Sequence, residues 1–188
     1  MSSNGVRLTD ESAVGLRYRM MLLDQARRVV RRVGEAALSH LYRVTGESMH
    51  PSIYAGDWLL VRRDAYRLVA PTRGDLVIVR DPRKTTEKYV KRVVGLPGEE
   101  VSTRDGELRI DGGPLSEPYL DGLPSSVGLE TSTWRLGQCQ YFLVGDNRAH
   151  STDSREFGPV DVGLMVGKAT RRVWPPSRWS RVGAPGHS

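Results

Sequence analysis

A serine that follows a glycine in a turn-like segment is the first candidate for chemistry in this sequence. Ser48 stands in the segment Val44–Pro51, two residues after Gly46. A serine hydroxyl becomes a nucleophile only when a base takes its proton and nearby N–H groups receive the oxyanion. The backbone at Gly46 and Ser48 can supply such donors, because glycine lets the main chain approach a substrate closely. The same residues also fit an ordinary turn serine, so a catalytic role requires a base elsewhere in the chain.

Lys91 is the candidate base. It lies inside the apolar stretch Tyr89–Val94. Strand alternation places Lys91 and Val93 on one face and Arg92 on the other. Burial disfavours the ammonium form and lowers the pKa of a lysine, and a neutral lysine can act as a general base. A lysine on an edge strand that extends its amine to solvent is the alternative interpretation.

A third polar segment, Gly145–Arg155, follows an apolar stretch and is dense in hydroxyl, acidic and arginine side chains. In it, Ser151 could orient a lysine amine, and a pair of Asp153 and Arg155 could fix the loop. A polar loop network without catalytic meaning is the other interpretation. A Ser-His-Asp triad is disfavoured, because His150 and the nearest aspartates share one short loop.

The composition excludes several kinds of protein. The single cysteine, Cys139, cannot form an internal disulfide or a zinc site, and the sequence has no phosphate-binding glycine loop, GxGxxG motif or His/Cys cluster. We therefore expect neither a cofactor nor a metal. Hydrophobic residues make up 38% of the chain, enough for a core, while 20 glycines, 11 prolines and only 2 phenylalanines favour a β-rich body with many turns.

Short β-branched runs separated by turn residues dominate the chain from residue 41 onward, which predicts a mainly β protein. The predicted strands are Trp58–Val61, Leu76–Val79, Tyr89–Val94, Glu107–Ile110 and Tyr141–Val144. Residues 102–133 are rich in Gly, Ser, Pro and acidic side chains, which indicates a small insert or a hairpin with long loops, and the insert is taken to extend over residues 102–140. Residues 174–188 are interpreted as a tail that leaves the body.

The N-terminal part predicts a basic amphipathic helix after a polar, disordered start. Apolar residues recur every three or four positions from Leu22 to Leu41, and arginines between Arg27 and Arg32 occupy the opposite side. Packing on the body, contact with an anionic membrane surface and contact with DNA are the three interpretations of this helix. The net charge of +6 is concentrated at the two ends, around an acidic middle, which argues against a nucleic-acid-binding groove.

These motifs and their order along the chain resemble those of the bacterial type I signal peptidase family. Members of this family are membrane serine proteases that use a Ser-Lys dyad. The resemblance covers residues 42–173. It rests on five segments, namely Val44–Pro51 with Gly46, Ser48 and Met49; Gly56-Asp57; Gly74–Val77; Tyr89–Glu99 with Lys91; and Gly145–Gly158 with Asp146, Asn147, Ser151, Asp153 and Arg155. It implies an antiparallel β body of the signal-peptidase and LexA type, in which residues 102–140 form a small cap insert.

The resemblance also implies a mechanism and a substrate. Ser48 would attack the scissile carbonyl, Lys91 would take its proton, and Ser151 would hold the lysine amine. The Ser48 N–H would form part of the oxyanion hole, and Gly46 stands where some relatives have a serine whose hydroxyl helps. The site would be supported by the other residues named in the first and last segments, which are Met49, Asp146, Asn147, Asp153 and Arg155. The substrate would be a precursor protein or peptide that loses its signal or leader peptide after small residues.

The N-terminus departs from the family pattern. Family members usually have a membrane span before the nucleophile, and a span needs about 20 consecutive apolar residues. The longest N-terminal candidate, Met20–Leu23, is flanked by charged residues. We expect residues 1–41 to attach the protein peripherally to an anionic membrane, aided by the aromatic rings of Trp174 and Trp179. A missing anchor and a soluble protein are the alternatives, and no nucleic-acid partner is expected.

Three other functions fit parts of the pattern. The first is a maturation protease that is dedicated to one precursor. The second is a self-cleaving LexA-like regulator, which would need a DNA-binding helix-turn-helix module that residues 1–41, with one solid helix at most, do not offer. The third is a membrane-binding module without catalysis, and the presence of Ser48, Lys91 and Ser151 argues against it.

Overall fold

The computed structural model describes residues 39–120 and 131–183. The strands in these residues are β1 (Ser39–Arg43), β2 (Trp58–Arg62), β3 (Leu76–Arg80), β4 (Lys88–Gly95), β5 (Glu100–Arg104), β6 (Glu107–Ile110), β7 (Gly113–Pro114), β8 (Ser132–Arg135), β9 (Gln140–Val144), β10 (Val160–Asp161), β11 (Met165–Trp174) and β12 (Ser180–Arg181). The α-helix is Ser154–Phe157, and 3-10 helices occur at Pro118–Leu120, Arg148–His150, Val162–Leu164 and Pro176–Arg178. No helix of this described part is long and apolar enough to cross a membrane.

The strands form two antiparallel sheets. The larger sheet has the order β1-β2-β11-β3-β4-β9-β10, with β12 paired to β11, and the smaller sheet has the order β7-β6-β5-β8. The mainly β, antiparallel fold is therefore confirmed. All five predicted strands are present, each within one residue of its predicted ends. The strands of the smaller sheet lie between Glu100 and Arg135, so this sheet begins two residues before the predicted insert 102–140 and ends before Gln140, where β9 of the larger sheet begins.

The centre of the larger sheet is covered on both faces. In β3, Leu76 and Ile78 belong to one buried cluster, while Val77 and Val79 belong to another. Such a strand has no solvent-facing side, which explains its continuous apolar run. The neighbouring strand β4 places Lys91 opposite Val77 in the antiparallel register. The candidate base thus lies on a strand whose neighbour β3 is apolar and buried from Leu76 to Val79.

A third buried cluster joins the two sheets. It contains Val94, Val101 and Phe142, which come from β4, β5 and β9. Gly95 ends β4 at this junction. A Cβ atom on Gly95 would lie 2.6 Å from Val101 Cγ2 and 2.8 Å from both Leu136 Cδ1 and Phe142 Cβ. Real side chains do not approach one another so closely, so the two sheets can meet here only beside a glycine.

The longest strand, β11, is absent from the sequence prediction. It lies between β2 and β3 near the middle of the larger sheet. Basic residues, among them Lys168 and Arg172, interrupt its apolar alternation. For this reason the sequence pattern does not predict a strand here. In the folded protein Lys168 pairs with Asp75 (2.6 Å) and Arg172 with Asp57 (3.5 Å). These long-range partners make the basic residues compatible with a central strand.

Both predicted boundaries of the body need correction. Ser39–Arg43 form β1, so Leu41 belongs to a strand and not to the predicted N-terminal helix. The rest of that helix, and the disordered start before it, lie outside the described residues. At the other end the chain does not leave the body at Trp174, because β12 pairs with β11 and Arg178 bonds to Asp57 (2.8 Å). A buried carboxylate thus holds the predicted tail against the sheet as far as it is described.

The junction at Gly95 generates a stability prediction. Gly95→Ala should lower the free energy of unfolding by about 1–3 kcal/mol, because the added methyl group forces apart the packed side chains of Val101, Leu136 and Phe142. Urea unfolding followed by circular dichroism measures the change. Gly113→Ala is the matched control, since its Cβ would meet only a backbone oxygen at 3.5 Å. Equal stability of the two variants would contradict this account of the junction.

Candidate active site

Ser48 lies in the turn between β1 and β2. The His50 N–H donates to the Glu47 carbonyl (3.0 Å) and the Ile53 N–H to the Met49 carbonyl (2.9 Å), so the chain coils tightly around the serine. Met49 and Ile53 are fully buried in the core, whereas Ser48 is half-buried. The predicted supporting residue Met49 therefore acts by packing, because its side chain anchors the turn that carries the hydroxyl.

Lys91 lies in the middle of β4 with only 1% of its surface exposed. Its Nζ donates a hydrogen bond of 2.9 Å to Ser151 Oγ and lies 5.4 Å from the ring centroid of Tyr89. Burial lowers the pKa of this amine from 10.5 to about 8, although the nearby Asp153 carboxylate acts in the opposite direction. The neutral amine, which can accept a proton, is therefore well populated at mildly alkaline pH.

Gly145 allows the Ser48 turn and the Ser151 loop to meet. A Cβ atom at this position would lie 2.2 Å from Ser151 Oγ and 2.4 Å from the Ser48 carbonyl oxygen. Both distances are too short for any side chain, so glycine is required by the close approach of these two segments. The sequence analysis included Gly145 in the last motif, but the reason for a glycine there emerges only from the fold.

Asn147 joins the same loop to the nucleophile turn. Its N–H donates to the Ser48 carbonyl (3.0 Å) and its Nδ2 donates to the Glu47 carbonyl (3.2 Å). Both bonds hold main-chain oxygens, so Asn147 fixes the position of the turn without contacting the serine hydroxyl through these bonds. It is a positioning residue.

Asp153 and Arg155 fix the loop from inside. Asp153 is fully buried and accepts hydrogen bonds from the Gly145 N–H (2.9 Å) and from Arg155 Nε (2.8 Å). Burial alone would raise the pKa of this carboxyl, but the hydrogen bonds and positive charge of Arg155 bring it below its usual value. The carboxylate therefore stays ionised and keeps Gly145 in place. The predicted pair is present, and its role is to support the loop.

Asp146 is held by a residue that the sequence analysis left out of the site. Arg92 donates two hydrogen bonds to its carboxylate, of 2.8 and 2.6 Å, and both side chains are buried. The Arg92 guanidinium also lies 3.8 Å from the ring centroid of Tyr119. The prediction that Arg92 and Lys91 lie on opposite faces of β4 agrees with the structure. Both faces of β4 are covered here, so Arg92 is buried as well. A buried arginine needs a buried acid as its partner, and this requirement was the sequence signal for its role.

One cleft contains the candidate nucleophile and the candidate base. It has a volume of about 510 Å³. The described residues that line it are Tyr42–Met49, Ile78, Glu87–Lys91, His150 and Thr152. Gly46 is exposed on its wall, and nothing lies within 4 Å of its Cβ position. The structure thus brings Gly46, Ser48 and Lys91 to one surface, with Ser151 bonded to the lysine.

The candidate nucleophile and the candidate base are not hydrogen-bonded to each other in this structure. Within residues 39–120 and 131–183, Lys91 donates to Ser151 and no hydrogen bond joins it to Ser48. The Ser48 N–H also donates to no acceptor in this part of the chain. Catalytic hydrogen bonds often tighten only when substrate is bound. No group of three or more His, Cys, Asp or Glu side chains in the same residues is placed to hold a metal ion.

The family of the chain follows from a match that spans both halves of this site. The model of the family described as signal peptidase, peptidase S26, matches residues 29–174, which include Ser48, Lys91 and the Ser151 loop. The chain belongs to this signal peptidase family. The predicted resemblance is confirmed, and with it the predicted class of enzyme, a hydrolase of the signal peptidase type.

Individual members of the signal peptidase family are similar over most of the chain. Signal peptidase I V of Bacillus subtilis is 37% identical over 137 residues, which cover 67% of this chain and 80% of that protein. Mitochondrial inner membrane protease subunit 2 of Danio rerio is 32% identical over 150 residues, 77% of this chain and 69% of that protein. A crystal structure of a signal peptidase I from Enterococcus faecalis is 34% identical, with a TM-score of 0.48, and covers 54% of this chain and 98% of that one.

The environment of Lys91 generates a titration prediction. We expect its amine to titrate near pH 8, since burial disfavours the charged form. NMR spectra of protein with 13C-labelled lysines, assigned with a Lys91→Met variant, measure this pKa directly. Exposed Lys84 is the internal control, because its hydrogen bond to Glu87 raises its pKa. Titration of Lys91 together with Lys84 above pH 10 would refute the prediction.

Proposed function

We propose that this member of the signal peptidase family removes signal or leader peptides from precursor proteins and cuts after small residues. Ser48 is the nucleophile and Lys91 the general base. The observation that carries the proposal is the cleft in which the Ser48 turn meets a buried lysine whose amine has a pKa of about 8. A buried, neutral lysine beside a serine has the properties that proton abstraction near neutral pH requires.

The reaction proceeds in two steps. Neutral Lys91 Nζ takes the proton of Ser48 Oγ as the oxygen attacks the scissile carbonyl, and the Ser48 N–H donates to the oxyanion. The lysine ammonium then gives its proton to the leaving amine, the C–N bond breaks, and an acyl-enzyme remains on Ser48. Water hydrolyses this ester in a second cycle in which Lys91 again serves as base and then acid. Gly46 contributes no side-chain donor to the oxyanion.

Ser151 and Asn147 prepare the two reacting groups. Ser151 Oγ accepts a hydrogen bond of 2.9 Å from the Lys91 amine, which orients the nitrogen lone pair away from that bond. Asn147 holds the Ser48 carbonyl at 3.0 Å and so limits movement of the nucleophile turn. Fixing both partners removes entropy from the reaction before the substrate arrives.

The substrate binds as an extended strand. The cleft walls include residues 42–47 on one side and residues 87–91 on the other, and an extended peptide can pair with such segments through main-chain hydrogen bonds. Its first and third side chains before the cut then point towards the cleft floor. Space in a cleft of about 510 Å³ is shared between several residues, which favours small side chains at these positions.

Peripheral contact with an anionic membrane is the second part of the proposal. In the larger sheet Leu41 pairs with Leu60, and Trp58 pairs with both Arg43 and Trp174. Paired residues share a face of a sheet, and on this face Leu41, Trp58 and Trp174 are 56%, 37% and 54% exposed. Exposed tryptophan rings suit the interface of a membrane. The contribution of residues 22–38 stays a prediction.

The dyad generates the decisive prediction. Ser48→Ala and Lys91→Ala should each reduce cleavage of a precursor peptide with an Ala-x-Ala site to background, because one removes the nucleophile and the other the base. Ser151→Ala should lower kcat without abolishing activity. Cleavage is measured by mass spectrometry, and Lys84→Ala, a change of an exposed lysine outside the cleft, serves as control.

The pH dependence of the wild-type enzyme supplies an independent check on the dyad. Its rate should rise as pH increases through about 8, the pKa of Lys91, because the neutral amine is the active form. Retained activity in Ser48→Ala or Lys91→Ala would disprove the assignment of the dyad.

The exposed aromatic face generates a binding prediction. A Trp58→Ser/Trp174→Ser double variant should bind vesicles with anionic lipids several-fold more weakly than wild type, since both rings lie on the proposed contact face. Co-sedimentation with vesicles measures the affinity. Leu68→Ser is the control, because Leu68 is 97% exposed in a different turn. An equal loss in both proteins would argue against this face as the contact surface.

A further inference from the structure

Two cationic side chains line the cleft away from Ser48 and Lys91. Arg43 and Lys88 both line the cleft, and both are exposed. Lys88 Nζ lies 5.7 Å from the ring centroid of Tyr42 on the opposite wall, a distance at which a cation and an aromatic ring attract each other. This contact draws the amine across the cleft.

The position of Lys88 along the cleft follows from strand geometry. Lys88 begins β4 and lies three residues before Lys91, which corresponds to about 10 Å along the strand. Arg43 ends β1 on the other wall, five residues before Ser48. Arg80, which pairs with Lys88 in the sheet register, adds another cation behind it. The end of the cleft away from the dyad is therefore basic.

The acidic residues of the cleft do not neutralise this basic end. Glu87 forms an ion pair with Lys84 and also accepts a hydrogen bond of 3.0 Å from the Tyr89 hydroxyl. Glu47 is adjacent to Ser48 and so belongs to the other end. Neither Arg43 nor Lys88 forms an ion pair with another residue of the described ranges 39–120 and 131–183. Both charges are available to a ligand.

We propose that Arg43 and Lys88 form a subsite for a carboxylate side chain of the precursor, four or five residues before the cut. This inference rests on the proposed function. An extended peptide advances by the same distance per residue as β4, so a substrate whose last residue before the cut lies beside Lys91 places its fourth residue beside Lys88. Precursors with Asp or Glu at these positions are then the preferred substrates.

A glutamate scan of a model substrate tests the subsite. Peptides with an Ala-x-Ala site carry one Glu at the second, fourth, fifth or sixth position before the cut, each matched to a peptide with Gln. Vesicles are left out, so that no lipid headgroup competes for the cations. We expect Glu to raise kcat/KM about two- to fivefold at the fourth or fifth position, mainly through KM, and to have little effect at the second. High salt should reduce this preference.

Charge variants assign the preference to these two side chains. Arg43→Gln and Lys88→Gln should each bring the Glu/Gln ratio towards one, and Lys88→Glu should make Lys peptides better substrates than Glu peptides. Arg104→Gln removes the same charge from an exposed position in the smaller sheet and should leave both the ratio and the activity unchanged. Thermal unfolding of each variant verifies that it is folded.

The outcomes separate this inference from the proposed function. If the wild type cleaves Gln and Glu peptides equally well, or if Lys88→Glu leaves the preference unchanged, the subsite is disproved while the peptidase function stands. If the wild type cleaves none of the peptides, including the uncharged ones, the proposed function fails and the subsite fails with it.

Discussion

The transfer of one amine from water into a nearly dry interior is the event on which the active-site region depends. Lys91 is about as deeply buried as the apolar residues of the core, and an ammonium in such a place is unfavourable unless it is paired. Among the described residues, 39–120 and 131–183, no carboxylate is bonded to its nitrogen, and its hydrogen-bond partner is a hydroxyl, Ser151 Oγ. A hydroxyl can accept a hydrogen bond from a neutral amine without stabilising the charged form as strongly as a carboxylate would.

The surrounding ion pairs complete this arrangement. The active-site loop contains two buried acids, Asp146 and Asp153, and both act to raise the pKa of Lys91 against the larger effect of burial. Each is bound by its own arginine, Arg92 for Asp146 and Arg155 for Asp153. The acids hold the loop through these pairs, and the positive charge of Arg155 acts with burial to lower the pKa of Lys91. Buried pairs of this kind contribute little net stability, but the loss of one partner is costly.

The sequence predicts this region well where local pattern and tertiary structure agree. The alternation of β4 predicted that Lys91 points inward and Arg92 to the other side, and both are buried. The sequence pattern did not predict β11, because the basic residues of this strand are balanced by Asp75 and Asp57, which are distant in sequence. The motif also placed Met49 among the residues that support the site, and only the fold shows that its side chain is buried in the core. The partners of a buried charge can be identified only in three dimensions.

Residues that follow the β6–β7 hairpin of the smaller sheet contact the candidate active site at two points, one on the loop after β9 and one on β4. Arg148, which also donates to the Gly145 carbonyl (3.0 Å), is bonded to Glu117, and Tyr119 stacks on Arg92. Glu117 and Tyr119 follow directly from the last hairpin of that sheet, so the sheet forms part of the support of the site. A chimera that exchanged this sheet for one from another peptidase would therefore need to keep a carboxylate and an aromatic ring at these two positions. Residues far from the chemistry thus restrict which cap a given catalytic loop can accept.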